Sequence, residues 1–83
     1  MTKVDKLLEK AHSRPQVLRF SELCHLAGAF GFEWIHGEGS HRVYGCVGVR
    51  EVLVFQPRKG GQAKTYQVLQ LLDLIDRYKL EAR

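Results

Sequence analysis

The chain has 83 residues, with 13 Lys and Arg against 9 Asp and Glu, for a formal charge of +4. That length supports one small domain of modest buried fraction and leaves no room for a large internal active-site cavity, so a site is expected on a sheet surface or in a groove, where a polymer can be gripped. The positive balance suits an anionic partner, and the cations are locally concentrated: Arg58, Lys59 and Lys64 flank Gly60-Gly61 in a stretch with no acidic residue between Glu51 and Asp73.

From Lys3 to about His12, Val4, Leu7, Leu8 and Ala11 recur at i, i+3, i+4 and i+7 and predict a first amphipathic helix. The first residues thus lead into a helix and not into a signal-peptide apolar block, and no apolar run reaches membrane-spanning length, so a soluble, cytoplasmic protein is expected. Ser13-Arg14-Pro15 breaks this helix. A second is expected with Ser21 as its cap, Glu22 in its first turn, Phe20, Leu23, Cys24 and Ala27 as its apolar stripe, and Gly31 as its stop. Three strand-like segments follow, Phe32 to His36, Ser40 to Val47 and Arg50 to Gln56, joined by glycine turns at Gly37-Glu38-Gly39 and around Gly48. Pro57 ends the third. Thr65 is placed to cap a last helix running to about Tyr78, with Val68, Leu71, Leu72, Ile75 and Tyr78 as its buried stripe.

The order α-α-β-β-β-α, with one apolar face per helix, predicts a single α+β domain of two layers: a three-stranded antiparallel sheet with helices on one face. Cys24 and Cys46 have no metal-ligand spacing and read as small core residues in a reducing compartment.

The most informative run is Gly39-Ser40-His41-Arg42-Val43-Tyr44, which sets a histidine at the start of a strand directly after a glycine turn. Histidine is the side chain best suited to exchanging a proton near neutral pH. Strand alternation puts His41 and Val43 on one face and Ser40, Arg42 and Tyr44 on the other; the pattern does not say which face is wet. The segment Gln56 to Thr65 joins Arg58, Lys59 and Lys64 to bare glycine backbone before a helix start, which suits either a phosphate cradle or a solvated surface turn. His36 reads as a surface residue at the loop edge, with a second proton-transfer role or a phosphate contact as the alternatives, and His12 and His25 fall on polar helix faces. Trp34 and Tyr44 read as core anchors, with base stacking as the alternative.

Leu18-Arg19-Phe20-Ser21-Glu22-Leu23, Gly31-Phe32-Glu33, Gly39-Ser40-His41, Leu53-Val54-Phe55-Gln56-Pro57 and Ala63-Lys64-Thr65-Tyr66-Gln67-Val68, in that order and spacing, closely resemble HicA-type toxins, in a branch with an extra N-terminal helix. The resemblance runs from about Val17 to Leu80. It implies a fold similar to the double-stranded-RNA-binding domain, cleavage of messenger RNA, and neutralisation by a HicB-type antitoxin bound over the site. The family's Gly-Ser-His histidine maps onto His41. Where many relatives carry a second histidine this chain has Arg42, and where they carry a basic residue before the signature it has Glu38.

The resulting expectation is a cofactor-free and metal-free ribonuclease in which His41 takes the proton of a ribose 2′-hydroxyl, with Ser40, Arg42, Arg58, Lys59 and Lys64 contacting RNA. Glu33, Glu38 and Glu51 are scattered over different strands and form no converging carboxylate set for a two-metal site. Two rivals stand beside it: a module of the same fold that binds RNA without cutting it, and a protein-interaction module.

Overall fold

In a computed structural model describing residues 2–83, the chain forms α1 (Lys3–Ser13), α2 (Phe20–Ala29), β1 (Glu33–Glu38), β2 (His41–Gly45), β3 (Leu53–Phe55) and α3 (Thr65–Arg77). The strands make one antiparallel sheet in the order β1-β2-β3, giving the α+β architecture that the hydrophobic periodicity implies. No helix among the described residues is long and apolar enough to cross a membrane.

One side of the sheet is packed and the other is open. Tyr44, Leu53 and Phe55 point inward and are buried, whereas Val54 between the last two is exposed. The rings of Tyr44 and Phe55 meet with centroids 5.1 Å apart, and around them Leu18, Leu23, Leu26, Val68 and Leu71 of the helical layer close a single core. Burial of each large apolar side chain stabilises the fold by roughly 1.5–3 kcal/mol relative to exposure. The first helix packs on α2, α3 and the turn before α2, and contributes Leu7 and Ala11 to the core.

The helix starts differ from the sequence expectation in instructive ways. Thr2 caps α1 in a reciprocal box, its hydroxyl accepting from the Asp5 N–H while the Asp5 carboxylate accepts from the Thr2 N–H. The first helix ends at Ser13, at the expected break, and Pro15–Val17 winds into one 3-10 turn. Ser21 is not the cap of α2. Arg19 holds that position in extended geometry, and the Glu22 carboxylate reaches back 2.9 Å to its N–H. Thr65 is the first helical residue of α3, one place after its cap position Lys64. As expected, Gly31 follows the end of α2 with φ +96°, a conformation that favours glycine.

Strands β2 and β3 are shorter than their β-rich runs, whereas β1 runs on through Gly37 and Glu38, which were expected in the turn but pair with Arg42 and His41. Phe32 is buried ahead of β1, and Ser40 lies in the turn before β2. Cys46 and Cys24 are both half-buried against the core as free thiols. Among the described residues, the one buried polar side chain, Gln67, ties α3 to the end of β3: its carbonyl oxygen accepts from the Gln56 N–H at 3.0 Å and its amide donates to the Tyr66 hydroxyl at 3.2 Å. Replacing Gln67 by Leu strands a backbone donor, so a loss of about 1–3 kcal/mol is expected in urea unfolding, and an unchanged midpoint would contradict this assignment.

Glu22 also bridges α2 to α1 through Lys10, at 3.0 Å. Burial alone would push its carboxyl up, but the Arg19 N–H and the Lys10 ammonium outweigh that and hold it below the usual 4.5. A depressed carboxylate stabilises the fold above its unfolded value, and that contribution disappears as pH falls through and below about 4.5. Glu22→Gln is therefore expected to cost about 1 kcal/mol near neutral pH and nothing at the acid end of a stability–pH series. A difference that persists in acid would contradict the assignment.

Candidate nucleic-acid interface

The β1–β2 hairpin closes on a two-residue turn, Gly39-Ser40, because Glu38 and His41 pair across the ladder. Gly39 has φ +59° and Ser40 does not share the positive φ, the pattern of a type II′ turn, which matches strand twist. Gly37, at φ +96°, lies so close to the His41 carbonyl that a Cβ there would collide with backbone. These two glycines fix where β2 begins and which way its side chains alternate.

Arg42 and His41 consequently face opposite sides. Arg42 turns toward the helices, its guanidinium 4.3 Å from the Trp34 ring centre and 5.5 Å from that of Phe20. Its Nε donates to the Gly39 carbonyl at 2.9 Å and its Nη1 lies 3.9 Å from the Cys24 sulfur. A hydrogen bond with the Tyr44 hydroxyl raises its already high pKa. Arg42 therefore braces the hairpin from the packed side. Trp34 is not a core anchor: it is 47% exposed, one ring face under Arg42 and its indole N–H spent on the His36 carbonyl at 2.8 Å.

His41 is exposed on the uncovered face, in an open depression of about 420 Å³ lined by His36, Gly37, Glu38 and Val43 as well as itself. His36 reaches this face through a register shift. Trp34 pairs with Tyr44 and His36 with Val43, which leaves Ile35 as an extra residue on β1. Ile35 sits on the same side, because its Cδ1 would be 3.0 Å from a Cβ built on Gly45.

The cationic loop emerges at the same end of the sheet. Arg42 pairs with Phe55, so Gln56 lies one step past the end of β3 at the level of His41, and Lys64 donates to the Gln56 side chain at 3.4 Å. Gly60 and Gly61, at φ +89° and +78°, turn the chain back, and the loop is closed by Arg58 N–H to Gln62 and Gly61 N–H to Arg58. Those two donors are thus spent inside the loop. What it offers an anion is the side chains of Arg58 and Lys59, both exposed, and of half-buried Lys64. Ser40 is exposed in the neighbouring hairpin turn.

Arg19, which the sequence reading did not single out, joins this group. Residue 19 bridges to Gln62, Phe20 N–H donates to the Gly61 carbonyl, and an Arg19 guanidinium nitrogen is 3.8 Å from a Cβ built on Gly61. Tyr66 was missed as well: it is 57% exposed, with its hydroxyl anchored by Gln67. An exposed ring beside cations can stack on a base. Only contacts between distant segments bring Arg19 to the loop, so no local motif marks it. Glu51 is directed elsewhere, to Tyr78 and Arg77, and hydrogen bonds from those two groups hold its carboxyl below the usual range.

Comparison with protein-family models, with curated proteins and with solved structures finds no match to this chain.

The hairpin is the most substitution-sensitive part of the site. Gly37→Ala is expected to lower stability by about 1–3 kcal/mol and to shift the His41 ring resonances in NMR spectra. Arg42→Ala is expected to cost about 1–2 kcal/mol and to change Trp34 fluorescence. Wild-type stability and spectra in both variants would contradict the bracing role.

Proposed function

We propose that this chain is a toxin of the HicA type, a cytoplasmic single-domain ribonuclease that binds messenger RNA and cleaves it with His41 as general base. The observation that carries the reading is the placement of an exposed histidine on the uncovered sheet face, level with a loop bearing Arg58, Lys59 and Lys64. An open face suits a ligand that passes across the protein, and the cations give a phosphate backbone its charge partners. The three-stranded antiparallel sheet backed by helices agrees with what the resemblance implies of the fold.

In this mechanism the RNA lies along the hairpin end of the sheet, with phosphates toward Arg58, Lys59, Lys64 and Arg19. His41 takes the 2′-hydroxyl proton as O2′ attacks the adjacent phosphorus, and Lys59 and Lys64 stabilise the charge that builds on the phosphoryl oxygens. Ser40, in the turn beside His41, is placed to hydrogen-bond the backbone. Arg42 serves by holding the turn, since its guanidinium is directed inward. A HicB-type antitoxin would neutralise the toxin by covering this face.

Incubating purified protein with RNA tests the proposal. Wild-type protein is expected to cut, and His41→Ala to lose cutting by about 10²-fold or more while keeping RNA affinity. Each phosphate contact removed from a single strand lowers the slope of log affinity against log salt by about 0.7, so Arg58→Ala with Lys59→Ala should lower it by about 1.4. Wild-type binding without cleavage would reduce the protein to a binding module, and salt-insensitive binding would remove the phosphate contacts.

A further inference from the structure

The shared depression of His36 and His41 carries a step that rests on the ribonuclease reading above: we propose that His36 is the second proton-transfer group, the general acid that protonates the leaving oxygen. In-line displacement at a phosphodiester removes a proton on one side of the phosphorus and delivers one on the other. A single imidazole cannot do both in one step, and the sheet places a second imidazole on the face of the first.

The placement depends on the extra residue in β1. Without it, the pairing of Trp34 with Tyr44 would continue to pair His36 with Arg42 on the packed side. With Ile35 inserted, His36 pairs with Val43 and joins the open face, two residues along β2 from His41. Diagonal neighbours of this kind stand about 7–8 Å apart, with the Cβ atoms somewhat closer, leaving space for a phosphodiester between the rings. Bulges that re-aim a side chain are frequent beside active sites. Both histidines are exposed, and the hydrogen bond His36 accepts from Trp34 uses its backbone carbonyl and leaves the ring uncommitted. The charged and titratable groups on this face near His36 are Glu38 and His41 in its own hairpin and Glu33 farther along β1. Strand β3 brings uncharged Val54 opposite Val43, and the cation Arg42 belongs to the packed face.

The reaction balances with these two side chains. His41 accepts the 2′-hydroxyl proton, O2′ bonds to phosphorus, the bond from phosphorus to O5′ breaks, and O5′ takes the proton held by the His36 imidazolium. One proton enters the protein as another leaves it. The products are a 2′,3′-cyclic phosphate and a 5′-hydroxyl end.

The test uses two oligoribonucleotides that differ at the cut linkage, one with the ordinary 5′ oxygen and one with sulfur in its place, since a thiolate departs without protonation. His36→Ala and His36→Gln are expected to cut the ordinary linkage about 10²-fold or more slowly with RNA affinity unchanged, and to cut the sulfur linkage at nearly the wild-type rate. His41→Ala stays slow on both. The alkaline fall of the wild-type pH–rate profile should disappear when the His36 variants act on the sulfur linkage. Variants of His36 that match wild type on ordinary RNA, or that lose both substrates equally, overturn the assignment of His36 while leaving His41 in place. Wild-type and His41→Ala proteins equally inert toward both overturn the ribonuclease reading itself, and this step with it.

Discussion

The register of the β1–β2 hairpin is the constraint on which the arrangement depends. In a strand, successive side chains alternate between faces, so a slip of one residue would exchange His41 for Arg42 on the open side. Three features resist that slip. The two-residue turn at Gly39-Ser40 sets the pairing of Glu38 with His41, Gly37 permits the close approach of the two backbones, and Arg42 fills a place between Trp34 and Phe20 while gripping the Gly39 carbonyl. Holding a half-buried guanidinium against two rings and a carbonyl on one side thereby fixes an imidazole on the other.

The remaining fold sets this hairpin and the cationic loop at the same end of the sheet. Tyr44 and Phe55 lock β2 to β3 from below, and Gln67 ties the end of β3 to the start of α3 through a single buried amide. The loop between them is pinned at two points, to Leu18 and Phe20 on one side and through Lys64 to Gln56 on the other. In so small a domain the core is taken up by such packing, and any binding site is left to the surface. A site composed of one strand end, one turn and one loop is consistent with that economy of volume.

Much of this was legible in the sequence. Helical periodicity with Pro15 and Gly31 as punctuation marked the helices, and β-rich runs between glycine turns marked a meander, since both signals arise from local sterics and solvent partition. What escaped were features set by distant contacts. Ser21 has the chemistry of a cap, but the pairing of residue 19 with Gln62 starts α2 two residues earlier. Trp34 read as core, yet its place on an outer strand leaves it half covered, by Arg42. Neither the bulge at Ile35 nor the resulting orientation of His36 has a signature in the residues themselves. The wet face of β2 became clear only when Tyr44 met Phe55.

The most direct test of the central claim, that the hairpin register presents His41 and the cationic loop on one RNA-facing surface, is NMR titration with an oligonucleotide whose 2′-hydroxyls are replaced by hydrogen to prevent cutting. The account predicts that backbone and imidazole shifts concentrate in residues 36–43 and 56–66 and around Arg19, with α1 silent. Perturbations centred on α1 or on the outer side of α3, or an absence of any specific shift, would contradict it.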